Sequence, residues 1–173
     1  MIEKEKFTDI RIGSGFDFHR LRENRKLILG GTEIPFEKGL LGHSDADVVI
    51  HAVMDAILGA SAMGDIGKLF PDSDERFRDI SSMILLARIA ELIAANGYVV
   101  GNLDVTVIAQ RPRIAPYSGE MKKNIAGRLG ISENRVSIKG TTTEGMGITG
   151  REEGIAAEVV CLLLRSHGTG TIE

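Results

Sequence analysis

The chain has 173 residues, 43% of them apolar and 26% charged, which suits one domain with a core of its own. Its net charge of -3 and isoelectric point near 5.8 argue against a general nucleic-acid or anionic-membrane surface, since both need clustered lysine and arginine. A single cysteine, Cys161 in the apolar run IAAEVVCLLL, reads as a buried core thiol and leaves no disulfide to form within the chain. The N-terminal MIEKEKFTD alternates charge and lacks the apolar centre of a signal peptide. No stretch approaches the roughly 18 unbroken apolar residues of a membrane span. A soluble, cytoplasmic protein is expected, with no nucleic acid and no membrane among its partners.

In chain order, IRIGSGFDF predicts a strand. Residues two apart in a strand face the same way, so Asp17 and His19 project together while Phe16 and Phe18 project to the other side. KLILGG and TEIPF predict a hairpin turning at Gly30 and Gly31, which accept the positive φ of a tight turn. HSDADVVIHAVMDAILGASAMGD predicts a helix from about Asp45 to about Ala60, with Ser44 as N-cap and Asp47 at the capping-box position. Val48, Val49, Ile50, Val53, Ile57 and Leu58 make this helix apolar nearly all round, yet Asp47, His51 and Asp55 follow one another at i, i+4 and i+8. One polar ridge therefore crosses a buried helix.

GDIGKLFPDSD has the punctuation of a loop, so Asp65, Phe70 and Asp72 have no periodic reason to be there. A second helix spans roughly Ser81 to Asn96 and closes at Gly97; LDVTVIAQ alternates as a strand; a third helix runs from near Pro116 to Leu129 and ends at Gly130. RVSIKG is a short strand, TTTEGMGITGREEG a glycine-rich loop and IAAEVVCLLLR a final strand. The elements predict an α+β fold: a mixed four-stranded sheet with helices packed on one face, plus the β-hairpin. A tail at residues 1–10, a single domain at 11–165 and a second tail at 166–173 complete the chain.

Three of the four histidines, His19, His43 and His51, fall within 33 residues, and two of them stand beside carboxylates. A reactive zinc site takes three protein ligands, often histidine and carboxylate, and leaves a fourth position open. Asp17, His19 and His51 satisfy that count. The plain alternative is a surface Asp-His pair and a core histidine satisfied by Asp47 or Asp55, which could equally orient the ring of a metal-bound His51. His43 and Ser44 precede a helix, where free amides and the dipole attract phosphate. In TTTEGMG, three hydroxyls and backbone amides suit phosphate oxygens, whereas Glu144 among them is repelled unless a cation lies between. A Mg2+ site completed by ligand oxygens follows, with a plain Thr/Gly-rich turn as the alternative.

GFDFHRL, LLGHSDADVVIHAVMDAILGA, GDIGKLFPDSD, NLDVTVIAQRPRIAPY and TTTEGMGITGREEGIA, in this order, resemble the 2-C-methyl-D-erythritol 2,4-cyclodiphosphate synthase family of the non-mevalonate isoprenoid pathway. The resemblance covers about Arg11 to Arg165. It implies a homotrimer of small α+β subunits with active sites between neighbours, converting 4-diphosphocytidyl-2-C-methyl-D-erythritol 2-phosphate into the cyclic diphosphate and CMP. On the matching positions, Asp17, His19 and His51 would hold zinc or a similar divalent transition metal, and Glu144 a Mg2+ or Mn2+ ion. Catalysis would fall to His43 and Thr142. His43, Ser44, Asp65, Phe70 and Asp72 would bind the diphosphate and methylerythritol portion; Ala109, Arg113, Ile114 and Ala115 the cytidine; Thr142 and Thr143 the phosphates. Arg151 matches a position near the trimer centre.

The implied chemistry fits these residues. The 2-phosphate is the nucleophile and, with a second pKa of about 6, is mostly dianionic near pH 7, so no strong general base is needed. Cations, amides and hydroxyls offset the repulsion between two anions and hold them close together. Two departures stand out. Ile148 occupies a place where many members carry phenylalanine, which argues against carrying over an apolar ligand of a central channel, and Gly140 replaces a common alanine. The residues before Arg11 and His167 in the second tail carry no expected function. Two other readings compete: a zinc phosphodiesterase acting by water attack, which would give a linear product, and a non-catalytic trimer binding isoprenoid diphosphates around a structural zinc.

Overall fold

Alternation at the start of the chain builds the strand from which the rest hangs. In the computed structural model, which describes residues 9–166, β1 runs from Ile10 to Glu23 and is followed by β2 (Leu27–Leu29), β3 (Thr32–Ile34) and β4 (Lys38–Leu40). Then come α1 (Val48–Ala60), the one-turn α2 (Ile66–Leu69), α3 (Ser82–Ala95), β5 (Tyr98–Ile108), α4 (Ser118–Leu129), β6 (Val136–Thr141), the one-turn α5 (Gly147–Gly150) and β7 (Gly154–Arg165). The sheet order is β4-β1-β7-β5-β6. β5 and β6 pair in parallel and the other neighbours antiparallel, with α4 in the crossover that a parallel pair requires. The hairpin β2-β3 stands apart, turning at Gly30 (φ 58°) and Gly31 (φ 71°) as expected.

The sheet thus has five strands where the sequence predicts four. Lys38-Gly39-Leu40 is too short to show alternation. But β1 outruns β7, whose pairing with it ends at Arg20 and Gly154, so Leu21 to Glu23 take β4 as their partner from Leu40 to Lys38. Backbone groups left unpaired in a packed region are costly, and β4 satisfies them. The helix expected from Asp45 begins instead at Val48, because Ala46 sits at φ 58°. Its cap is Asp47 rather than Ser44: the Asp47 carboxylate accepts from the amides of Val49 and Ile50 and from those of Gly30 and Gly31 in the hairpin turn. The two stretches read as loops each contain a single helical turn, α2 and α5. Gly97 (φ 76°) and Gly130 (φ 67°) close α3 and α4 in the left-handed conformation, as predicted.

Helices α1, α3 and α4 cover one face of the sheet. Along β1, Gly13 and Gly15 face α1, and a Cβ at Gly15 would overlap the carbonyl oxygen of Ala52, one at Gly13 that of Ala56. The helix therefore lies directly on the strand backbone. Val49, Ile50, Val53, Met54, Ile57 and Leu58 of α1 are fully buried, each contributing roughly 1.5–3 kcal/mol of hydrophobic stabilisation. The opposite face carries the other register: Ile12 is 72% exposed and Phe18 62%, with Ile10, Phe16 and Val160 beside them. Cys161 is buried, and burial pushes its thiol up to about 12. No helix among the described residues is long and apolar enough to cross a membrane. Of the expected tails, Asp9 accepts the Tyr98 hydroxyl and Ile10 opens β1; residues 1–8 and 167–173, His167 included, lie outside the described residues.

Candidate metal centre and substrate clefts

The two-residue period of β1 turns Asp17 and His19 toward α1, and the close seat of α1 on Gly15 brings His51 to meet them. Asp17 Oδ2 lies 3.1 Å from His51 Nδ1 and 3.1 Å from His19 Nδ1. The other Asp17 oxygen accepts the Phe18 amide. One ligand atom from each of the three residues lies within 4.8 Å of the others. The His19 contact is close but out of line for a hydrogen bond, so His19 Nδ1 is buried with no partner. A buried nitrogen left unpartnered beside a carboxylate costs stability unless something bridges them. A divalent cation does so, and the donor set of two imidazoles and a carboxylate is the one zinc takes in open sites.

The electrostatics agree with that fit. Burial opposes ionisation of Asp17, but the neighbouring imidazoles outweigh it and hold its carboxyl at about 2. Burial also opposes charge on His51, and Asp17 outweighs it, so the His51 imidazole titrates above its ordinary range. Asp47 and Asp55, the expected partners of His51, touch it at neither nitrogen. Asp47 is occupied by four backbone amides, and Asp55 accepts the Ile66 amide at the start of α2. The far nitrogen of His51, Nε2, instead faces Ser44 Oγ at 3.1 Å and Ser82 Oγ at 3.0 Å.

The three ligand residues open into a cleft of about 430 Å3 whose walls include His43, Ser44, Asp55, Phe70 and Asp72. Of the residues expected to bind the diphosphate end, Asp65 does not line it; it caps α2 by accepting the Lys68 amide. A second cleft of about 400 Å3 lies where β5 and β6 end, and Ala109, Arg113, Ile114, Ala115, Thr142 and Glu144 all line it. The Thr142 hydroxyl donates to Glu144 Oε1 at 2.7 Å. Thr143 is turned away to Met146 O and Thr149, and Arg151 pairs with Glu153 at 2.8 Å. Phe18, Ala156, Ile108 and Thr141 are successive partners across β1, β7, β5 and β6, so the strands that border the two clefts, β1 and β6, lie three strand spacings apart, about 14 Å. Sequence reasoning missed Ser82 and Asp45, which hold the far side of His51; Ser82 opens a helix in which no periodicity marks it out.

A candidate three-residue metal cluster beside one cleft and a hydroxyl-and-carboxylate loop lining another, on an α+β fold, define a metal-binding enzyme class to set beside known proteins. The model of the YgbB family matches residues 10–164, and the chain belongs to that family. The 2-C-methyl-D-erythritol 2,4-cyclodiphosphate synthase of Clostridium novyi (strain NT) is 58% identical over 154 residues, covering 89% of this chain and 98% of the relative. Among solved structures, the bifunctional IspDF of Campylobacter jejuni superposes with a TM-score of 0.87 at 42% identity, covering 90% of this chain and 42% of that longer one. IspF of Plasmodium falciparum, in a complex with CDP, superposes with a TM-score of 0.81 at 38% identity, covering 91% of this chain and 97% of the other.

Proposed function

We propose that this chain cyclises 4-diphosphocytidyl-2-C-methyl-D-erythritol 2-phosphate to 2-C-methyl-D-erythritol 2,4-cyclodiphosphate and CMP, as a cytoplasmic homotrimer in isoprenoid biosynthesis. The observation that carries this is the metal centre of Asp17, His19 and His51 opening into a polar cleft, on a chain 58% identical to a synthase of that name. Asp17, His19 and His51 would hold Zn2+ or a related ion, and Glu144 would supply one carboxylate oxygen to Mg2+ or Mn2+. Bound there, the two cations supply positive charge to a reaction between anions.

The residues do the positioning. The substrate's own 2-phosphate attacks the β-phosphorus; one P–O bond forms, the P–O bond to CMP breaks, and CMP leaves with the electron pair. His43 and Ser44 hold the diphosphate at the mouth of the metal cleft, with Asp65, Phe70 and Asp72 on the loop that shapes the methylerythritol end. Ala109, Arg113, Ile114 and Ala115 form the cytidine end of the second cleft, and Thr143, its hydroxyl turned to Met146 O and Thr149, shapes the loop beside the phosphates. Thr142 steadies the charge that builds on the leaving side.

The trimer reading draws support from two features. The sheet face away from the helices exposes Ile10, Ile12, Phe16 and Phe18 in one row, an apolar surface of the sort that marks an interface. The two clefts share no lining residue, so a neighbour that brings its nucleotide cleft to this chain's metal cleft completes a single site, with Arg151 near the axis. An unpaired, buried Cys161 fits a reducing compartment.

The test is incubation of the purified protein with the diphosphocytidyl substrate and Mg2+, before and after zinc chelation, following CMP release and the phosphorus spectrum of the product. A cyclic diphosphate that is lost on chelation is expected. CMP with a linear product would replace this reading by hydrolysis, and no turnover from a folded, zinc-loaded trimer would replace it by a binding protein.

A further inference from the structure

The hydrogens around His51 can be counted. Ser82 has one hydroxyl hydrogen, and it goes to Asp45 Oδ1, while the Ser82 amide donates to Asp45 Oδ2 at 2.9 Å. A carboxylate only accepts, and a hydroxyl has a single hydrogen to give. With that hydrogen committed, Ser82 Oγ meets His51 Nε2, 3.0 Å away, as an acceptor. Ser44 Oγ, 3.1 Å away, accepts the Ala46 amide and keeps a second lone pair that can face Nε2 as well. Nε2 therefore carries the hydrogen.

We infer that Asp45 and Ser82 are positioning residues: together they fix His51 as the Nε2–H tautomer, so that Nδ1 is the nitrogen with a lone pair facing Asp17 and His19. This rests on the metal reading of that cluster. The pair is itself held in register by the backbone. The Asp79 amide donates to the His43 carbonyl at 2.9 Å and the Asp45 amide to the Ile80 carbonyl at 3.1 Å, zipping the turn before α1 to the turn before α3. Two segments some 37 residues apart thus meet behind one ring. Outer hydrogen bonds of this type fix ring orientation and raise ligand basicity, and their loss typically costs about 10–100-fold in metal affinity.

The test uses the full-length wild type, Asp45→Asn and Ser82→Ala, each stripped of metal and titrated with zinc against a chromophoric chelator. A nitrogen-15 spectrum of the zinc-loaded wild type reads which nitrogen of His51 carries the hydrogen. Asparagine offers one acceptor where Ser82 needs two, and alanine leaves Nε2 only the Ser44 hydroxyl. The expected results are zinc binding about 10–100-fold weaker in both variants and a hydrogen on Nε2 in the wild type. Wild-type affinity in both folded variants, or a hydrogen on Nδ1, overturns the inference. If either variant fails to fold by circular dichroism, the wild-type spectrum decides alone. A wild type that takes up no zinc overturns the metal reading and this inference with it; normal uptake with unchanged variants overturns this inference only.

Discussion

Asp17 Oδ2 and His51 Nδ1 are both lone-pair atoms once the imidazole is neutral, so their 3.1 Å approach asks for a hydrogen or a cation between them. The two compete. Because His51 titrates above its ordinary 6.5, protons still oppose metal above that pH, and zinc affinity should keep rising as the pH climbs from about 6 to 8. Chelator competition across that range checks it; a flat profile would remove His51 from the ligands. Stability of the metal-free protein should move the other way. The folded state binds the His51 proton more tightly than the unfolded chain, so this contribution is fully present below 6.5 and is lost as the pH rises through the folded value. Urea melts of metal-free wild type and His51→Gln should converge in that direction. In the second cleft Glu144 offers a single hard oxygen charge. Glu144→Gln should leave zinc content unchanged and raise the Mg2+ concentration needed for half-maximal turnover by about tenfold or more, the loss of one charged ligand being worth at least ~1.4 kcal/mol.

At the scale of elements, the distance between α1 and β1 decides whether the ligands meet. Gly15 leaves that distance open, and Gly15→Ala would press a methyl on the Ala52 carbonyl oxygen. The expected outcome is a destabilisation of about 1–3 kcal/mol together with weaker zinc binding, read by urea unfolding and by chelator competition. Destabilisation without loss of zinc would mean that the helix seat and the site are independent. How far this could be read in advance follows from where each signal lives. Asp17 and His19 were legible because a strand's period is local, and His51 because it lies on the one polar ridge of a helix that is apolar nearly all round. Asp47 was legible as a residue of the helix start, with Ser44 taken for the cap, but not as the cap itself nor as the clasp of the hairpin turn, since Gly30 and Gly31 meet it only in three dimensions. Ser82 was invisible for the same reason: it reaches His51 across 31 residues of sequence. β4 was invisible because three residues carry no period, and only the overhang of β1 calls for them.

For the molecule as a whole, the bare sheet face is the feature that asks for company. Phe18→Asp places a charge in the row formed by Ile10, Ile12, Phe16 and Val160. It points away from the Asp17 and His19 side of β1. On the proposed trimer, the expected outcome is a monomer in sedimentation that still binds zinc but turns over roughly 100-fold more slowly, its two clefts being unable to meet those of a neighbour; a fully active monomer would show that one chain suffices. A different consequence follows from where His51 is mounted. Its helix is the most enclosed element of the fold, buried along nearly its whole length, and the His51 amide is bonded to the Asp47 carbonyl at 3.0 Å. Segments of this kind open only when everything opens. Fraying and partial unfolding therefore give a bound ion no way out, and exchange with the surroundings has to pass through the cleft mouth. The rate of zinc release should stay level as urea is raised and climb only at global unfolding, while the amide hydrogens of His51 and Ala52 exchange with solvent as slowly as any in the chain.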